Sequence, residues 1–341
     1  MNGASIRGIS WVTGTRRVTN EDLVAEFGTW TAKKISSKTG VSVRWLATGE
    51  TTSQLSARAG EAFFAEHPGV SRESIDMLVL CTETPDYLLP ATACVVHRLL
   101  GLRKTCGAFD YNLGCSGYCY GLALCKGFIT SGLARRVLLA TCDLVTRHIN
   151  PRDKATRPIF GDAATVTLVE ESAADHLPFL SFGTDGSGAD ALIIPAGGTA
   201  CPRSESTGVE TANRFGNVSC AENLFMDGRR VLDFGVTEVP ASLSALLAAS
   251  GESFESVDLI VFHQATRLML ETLRDSMSIP PEKFVIDLED TGNTVSSTIP
   301  LALARAVRAG RLKPGMKVLL SGFGVGFSWS SALVHWDEEA K

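Results

Sequence analysis

Apolar runs in this chain come in two matching sets. Ser74 to Leu80 (SIDMLVL) and Ser256 to Phe262 (SVDLIVF) each carry an aspartate at the entry, Asp76 and Asp258, and continue as an unbroken apolar run, the pattern of a strand buried on both faces. The likeness returns at Arg136-Val137-Leu138-Leu139 and Lys317-Val318-Leu319-Leu320, and in the helix ends at Gly132 and Gly310, at an offset of roughly 180 residues. Between these landmarks each half predicts the order strand, helix, strand, turn, helix, strand. The segments are 75–81, 91–100, 107–112, 116–131 and 136–141, and then 257–262, 266–277, 283–288, 295–309 and 317–321. Each half also opens on a β-type segment, Ser5 to Val12 and Leu177 to Gly183. One repeat pair of this length signals duplication rather than a solenoid.

The expected halves are therefore 1–173 and 174–341, parted in the polar stretch Glu171 to His176. Residues 14–70 add a helix after Thr19-Asn20 and another from Thr52 to Glu66, an insertion over the first lobe. The stretch 186–222, rich in Gly, Ser, Thr and Asn, is expected to be a long irregular excursion.

Composition narrows the class. With 341 residues and 45% hydrophobic content the chain has enough apolar mass for a large core. A net charge of −5 without a Lys/Arg run gives no footprint for nucleic acid. The first ten residues lack the apolar core of a secretory signal, and no stretch has the roughly 18 unbroken apolar residues of a membrane span, so a cytoplasmic protein is expected. Nine cysteines, mostly within apolar segments, read as free thiols; Cys115 and Cys119 have no neighbouring ligands that would complete a metal site.

Three residues carry candidate chemistry. Cys115, in Asn112-Leu113-Gly114-Cys115-Ser116-Gly117, stands where a strand passes through a tight turn into a helix. A thiol facing unpaired helix amides is expected to have a lowered pKa and nucleophilic character, although the segment alone reads equally as a buried small residue. His263 follows the second copy of the echoed strand, at the carboxyl end where open α/β folds place their sites. Asn293 sits in the turn that mirrors the Cys115 turn; Gly-Asn is ordinary turn chemistry, but pseudo-symmetry would bring both turns together beside His263. The loop Gly322-Phe323-Gly324-Val325-Gly326-Phe327 is suited to giving a backbone amide to an oxyanion.

Taken in order, Gly-Cys-Ser-Gly at 114–117, His-Gln-Ala at 263–265, Gly-Asn-Thr at 292–294 and Gly-Phe-Gly-Val-Gly-Phe-Ser-Trp at 322–329 resemble the 3-oxoacyl-acyl-carrier-protein synthase III family. Lys38-Thr39-Gly40-Val41, Leu89-Pro90 and Ile159-Phe160-Gly161-Asp162 extend the resemblance over nearly the whole chain. It implies a thiolase-like fold, with duplicated α/β halves in a five-layered αβαβα arrangement, a homodimer, and a ping-pong decarboxylating Claisen condensation. Cys115 would take the acyl group from an acyl-coenzyme A or acyl carrier protein thioester, and His263 and Asn293 would donate hydrogen bonds to the malonyl thioester oxygen. Thioester substrates are implied, and no other cofactor.

Leu89, Val325, Gly326 and Phe327 would shape the oxyanion and acyl pocket. Lys38, Lys154, Arg229, Arg267 and Arg274 would meet coenzyme A or the carrier protein. Departures from the family pattern at Leu89, Lys154, Arg229, Thr266 and Val325 leave open the donor, the primer, and housekeeping against specialised synthesis. An acyltransferase or thioester hydrolase on the same scaffold is the alternative reading.

Overall fold

A computed structural model describes residues 3–214 and 216–337. Its first half contains β1 (Gly3–Thr13), β2 (Arg16–Thr19), α1 (Asn20–Phe27), α2 (Ala32–Thr39), β3 (Val43–Leu46), α3 (Thr52–Glu66), β4 (Met77–Cys81), α4 (Thr92–Leu99), β5 (Gly107–Tyr111), α5 (Gly117–Thr130), β6 (Arg136–Asp143) and β7 (Ala163–Ser172). The second contains β8 (Phe179–Thr184), the two-residue strands β9 (Leu192–Ile193), β10 (Thr211–Ala212), β11 (Val218–Ser219) and β12 (Phe225–Met226), then α6 (Gly228–Ser250), β13 (Leu259–Phe262), α7 (Arg267–Ser276), α8 (Thr298–Arg308), β14 (Lys317–Gly324) and β15 (Ser328–His335).

The two main sheets share one strand order. In the first, β1-β7-β6-β4-β5, the last three strands are parallel and β1 and β7 antiparallel; the second runs β8-β15-β14-β13 with the same directions. The fifth strand expected at 283–288 shrinks to a single bridge between Ile260 and Phe284. Beyond it the Gln264 side chain replaces the ladder: its amide nitrogen donates to Phe262 O (2.7 Å) and Val285 O (3.3 Å), and its oxygen accepts from the Asp287 amide (2.7 Å). Backbone groups that would otherwise pair along a strand are thus satisfied by one carboxamide.

Strand alternation sorts the core into layers. Val79 and Leu139 face α5 and α8, which also bury Tyr118, Leu122, Ile299 and Leu303 against Val261 and Leu320 of the second sheet. Leu78, Leu80 and Leu138 point the other way, onto Leu55 and Phe63 of α3 and Val96 of α4. On the far face of the second sheet, Val239 and Leu243 of α6 and Leu270 and Leu273 of α7 cover Ile260 and Leu319. The result is helices, sheet, helices, sheet, helices.

The periodic pattern did not disclose α6. Pro240 lies inside it, removing one helical amide, and Asp227 caps its start. By length and composition α6 would suffice to cross a membrane; here one face packs on the second sheet through Phe234, Val239 and Leu243. The seam between the halves is apolar where α5 packs on α8 and carries polar contacts elsewhere: Ser116 Oγ lies 2.6 Å from Ser328 Oγ, Thr141 Oγ1 lies 2.9 Å from Ser297 Oγ, and Phe160 bridges to Asn293.

Candidate active site

The turn from β5 into α5 closes with Gly117 N donating to Gly114 O at 2.8 Å, and this sets buried Cys115 just ahead of the helix. Gly324 runs directly alongside: a Cβ there would stand 2.8 Å from Cys115 Cβ and 2.9 Å from its Sγ. The expected lowering of the thiol pKa is reversed. Burial pushes it well up, and the carboxyls of Glu83 and Asp143 add to this, while the amides of Val325 and of Cys115 itself act against it. Desolvation outweighs the helix end because the sulfur lies in an apolar shell of Val145, Ile159, Phe160, Leu192, Leu224 and Val295.

Cys115, His263 and Asn293 line one cavity of about 440 Å³. Buried His263 directs Nδ1 at Thr298 Oγ1 (2.7 Å) and Nε2 toward Asn293 Nδ2 (3.4 Å), with the edge of Phe323 beside the ring. Burial holds its pKa at about 3, against a small opposing effect of the Val295 backbone, so the imidazole is neutral. Asn293 Oδ1 accepts from the Val295 amide (2.9 Å), which fixes the carboxamide with its nitrogen toward His263. The Asn293 backbone is held by Ile159 O (2.9 Å) and Gly161 N (3.0 Å). Val295 pays for this turn with φ of 55°, a left-handed conformation that is strained for a β-branched residue.

Two acidic residues that the motif reading passed over face the same space. Asp143, at the end of β6, accepts from Glu83 N (2.8 Å) through Oδ1 and from Ser296 N (3.2 Å) and the Ser296 hydroxyl through Oδ2. Glu83 and Asp143 both line the cavity, and burial raises both carboxyl pKa values, helped by the Asp143 charge at Glu83 and by the Asp162 charge at Asp143. Their signal was available: each follows a buried strand at its carboxyl end, the rule that singled out His263.

The other expected site residues divide. Val325 and Lys38 line the cavity. Gly326 and Phe327 do not: Phe327 is drawn away by stacking on Phe234 (centroids 4.2 Å apart), inside the outer core. Leu89 is not in the pocket of this chain either; it is 82% exposed on the loop between β4 and α4, beside exposed Tyr87 and Leu88. Lys154 reaches Thr29 Oγ1 (3.0 Å). Arg229 stands outside the cavity near Asp233, Arg267 lies between Glu271 and Glu289, and Arg274 is largely covered and paired with Asp275.

A thiol that meets an imidazole and a carboxamide at the junction of two like α/β lobes defines the condensing class of thiolase-fold enzymes. The comparisons with known proteins carry this to a family. Residues 109–188 match the family model for 3-oxoacyl-[acyl-carrier-protein] synthase III and residues 247–336 the model for its C-terminal part. A beta-ketoacyl-[acyl-carrier-protein] synthase III of Rhodopirellula baltica is 36% identical, over 98% of this chain and 99% of its own. A crystal structure of a 3-oxoacyl-(acyl-carrier-protein) synthase III superposes with a TM-score of 0.96 at 42% identity, covering 98% of this chain and 100% of the other. The 3-oxoacyl-(acyl-carrier protein) synthase of Burkholderia xenovorans LB400 gives 0.90 at 34% identity, covering 99% and 95%.

The chain belongs to the 3-oxoacyl-acyl-carrier-protein synthase III family. It is a condensing acyltransferase that joins an acyl primer to a malonyl thioester with loss of carbon dioxide.

Proposed function

We propose that Cys115 carries the primer and that His263 and Asn293 serve the decarboxylating half of the reaction. The observation that carries this reading is the shared cavity, in which thiol, imidazole and carboxamide meet in apolar surroundings. In the first half-reaction the Cys115 sulfur bonds to the thioester carbonyl carbon. His263 Nε2, a lone-pair acceptor in the neutral ring, takes the thiol proton and passes it to the departing thiolate as the old carbon–sulfur bond breaks. The amides of Cys115 and Val325, already directed at the sulfur, suit the tetrahedral oxyanion.

In the second half-reaction the malonyl carbon–carboxylate bond breaks and its electron pair forms the enolate, whose oxygen takes hydrogen bonds from Asn293 Nδ2 and His263 Nε2–H. The Thr298 hydroxyl donates to Val295 O (3.0 Å) and so accepts from Nδ1–H, which leaves Nε2 its lone pair for the first half-reaction; in the second, the hydroxyl releases Val295 O and donates to Nδ1 while Nε2 carries the proton. The enolate carbon then attacks the acyl-cysteine, the carbon–sulfur bond breaks, and the Cys115 thiolate leaves and takes from water the one proton that the decarboxylating condensation consumes.

Cationic groups at the cavity side support a phosphate-bearing donor such as coenzyme A: Lys34 and Lys38 lie 4.8 and 5.7 Å from the Trp30 ring centroid, with Lys154 on neighbouring Thr29. Exposed Leu88 and Leu89, and an apolar groove between Tyr120, Leu133 and Phe182, support a homodimer. The nine free cysteines accord with action in the reducing cytoplasm. The common strand order supports reading 1–173 and 174–341 as duplicated halves.

Acyl-enzyme mass spectrometry and carbon dioxide release from labelled malonyl thioester test the assignment. Cys115→Ala is expected to lose acylation. Asn293→Ala is expected to retain acylation and lose decarboxylation; decarboxylation at the wild-type rate in that variant would overturn the role given to Asn293.

A further inference from the structure

We propose that Glu83 determines primer choice, selecting acyl groups that carry a hydrogen-bond donor, a hydroxyl or an amine, close to the thioester. The proposal deepens the acyl-cysteine reading above and rests on it.

Glu83 follows β4 and places its carboxyl beside Gly114, one residue from the nucleophile: Oε2 occupies the space that a Cβ on Gly114 would need. The residue lines the chamber, yet its carboxyl oxygens have no hydrogen-bond partner among the described residues; only its amide is engaged, by Asp143. Asp143 offers no relief, since both its oxygens are occupied by Glu83 N and by the Ser296 amide and hydroxyl. Val145, Ile159, Phe160 and Leu192 form the apolar part of the same chamber, with Thr84 and Asn112 also in its lining.

A carboxyl in such surroundings keeps its solvation while water fills the chamber and loses it when an unsubstituted acyl chain displaces that water. A primer that returns a hydrogen bond avoids the loss. Discrimination of this kind is stronger than that of a purely apolar pocket, because the penalty falls on the primer lacking the group.

The test is competition for Cys115 among 3-hydroxybutanoyl, 3-aminobutanoyl and 3-methylbutanoyl pantetheine thioesters, three primers of nearly one shape, read as initial acyl-enzyme ratios by intact-protein mass spectrometry. The wild-type protein is expected to favour a hydroxy or amino primer over the methyl one by at least about tenfold, the factor one unsatisfied buried group is worth. Glu83→Val should bring the ratio to about one or below. Glu83→Gln, an isostere that keeps the fold, should retain the preference for the hydroxyl and lose that for the amine.

A wild-type preference for the methyl primer, or a ratio that neither variant changes, would overturn the proposal and leave Glu83 as a partner of Asp143 only. Absence of acylation by all three primers would overturn the acyl-cysteine reading itself and this proposal with it.

Discussion

Replacing Gly324 by alanine tests how closely the nucleophile is held. The new Cβ would meet Cys115 Cβ at 2.8 Å and Sγ at 2.9 Å, whereas carbon atoms in comfortable contact stand about 3.5–4.0 Å apart. Rotation about χ1 moves the sulfur but leaves Cys115 Cβ in place, so relief requires a backbone shift of roughly 1 Å in one of two strongly anchored segments. Overpacking of this kind costs about 1–3 kcal/mol of stability.

The catalytic effect is larger, because misplacing a reacting atom by about 1 Å costs on the order of a hundredfold in rate. Acylation of Cys115 under single-turnover conditions, followed by mass spectrometry, is the assay, with thermal unfolding to establish that the variant is folded. Gly69→Ala serves as control: it lies in an exposed turn with nothing within 4 Å of the added carbon, and it should leave acylation unchanged. Acylation at the wild-type rate in folded Gly324→Ala would refute the reasoning.

Three further outcomes are expected. His263 has a folded pKa near 3, below its ordinary 6.5, so between these values only the unfolded chain binds the proton; its contribution to stability is complete above 6.5 and falls as pH drops, by up to about 1.4 kcal/mol per unit. Denaturant unfolding at a series of pH values should therefore show a shallower acid slope in His263→Gln, and parallel slopes would contradict the burial argument. Asp143→Ala removes the acceptor of the Glu83 amide and of the Ser296 amide and hydroxyl and should cost roughly 3 kcal/mol, measurable by the same method. Leu88→Asp with Leu89→Asp should shift sedimentation toward monomer if these exposed leucines meet a second copy; an unchanged profile would remove that support for a dimer.

Much of the fold could be read before any coordinates, because buried strands announce themselves as unbroken apolar runs. The echo of 74–80 in 256–262 led to β4 and β13, and from there to the two sheets. The 283–288 segment looked equally strand-like, but what satisfies its backbone is the Gln264 side chain, which no periodicity reveals. Helix α6 escaped because Pro240 interrupts it. At the site, glycine turns and strand ends pointed to Cys115, His263 and Asn293, which the fold brings to one cavity. The protonation state of Cys115 was not legible in the same way: it depends first on how deeply the fold buries the thiol, and then on the carboxyls of Glu83 and Asp143, which are distant in sequence. Phe327 shows the converse, a residue in the right motif whose ring finds a better partner in Phe234.

The contacts joining Ser116 to Ser328, Thr141 to Ser297 and Phe160 to Asn293 would, with Cys115, His263 and Asn293 in the proposed roles, make catalysis conditional on docking. On that proposal neither lobe owns a complete reactive centre, so a chain with both sheets formed but imperfectly apposed would hold its secondary structure and yet turn over nothing. During refolding, turnover should then be the last property to return, and lesions far from the thiol that loosen this joint should silence the enzyme well before they lower its melting temperature.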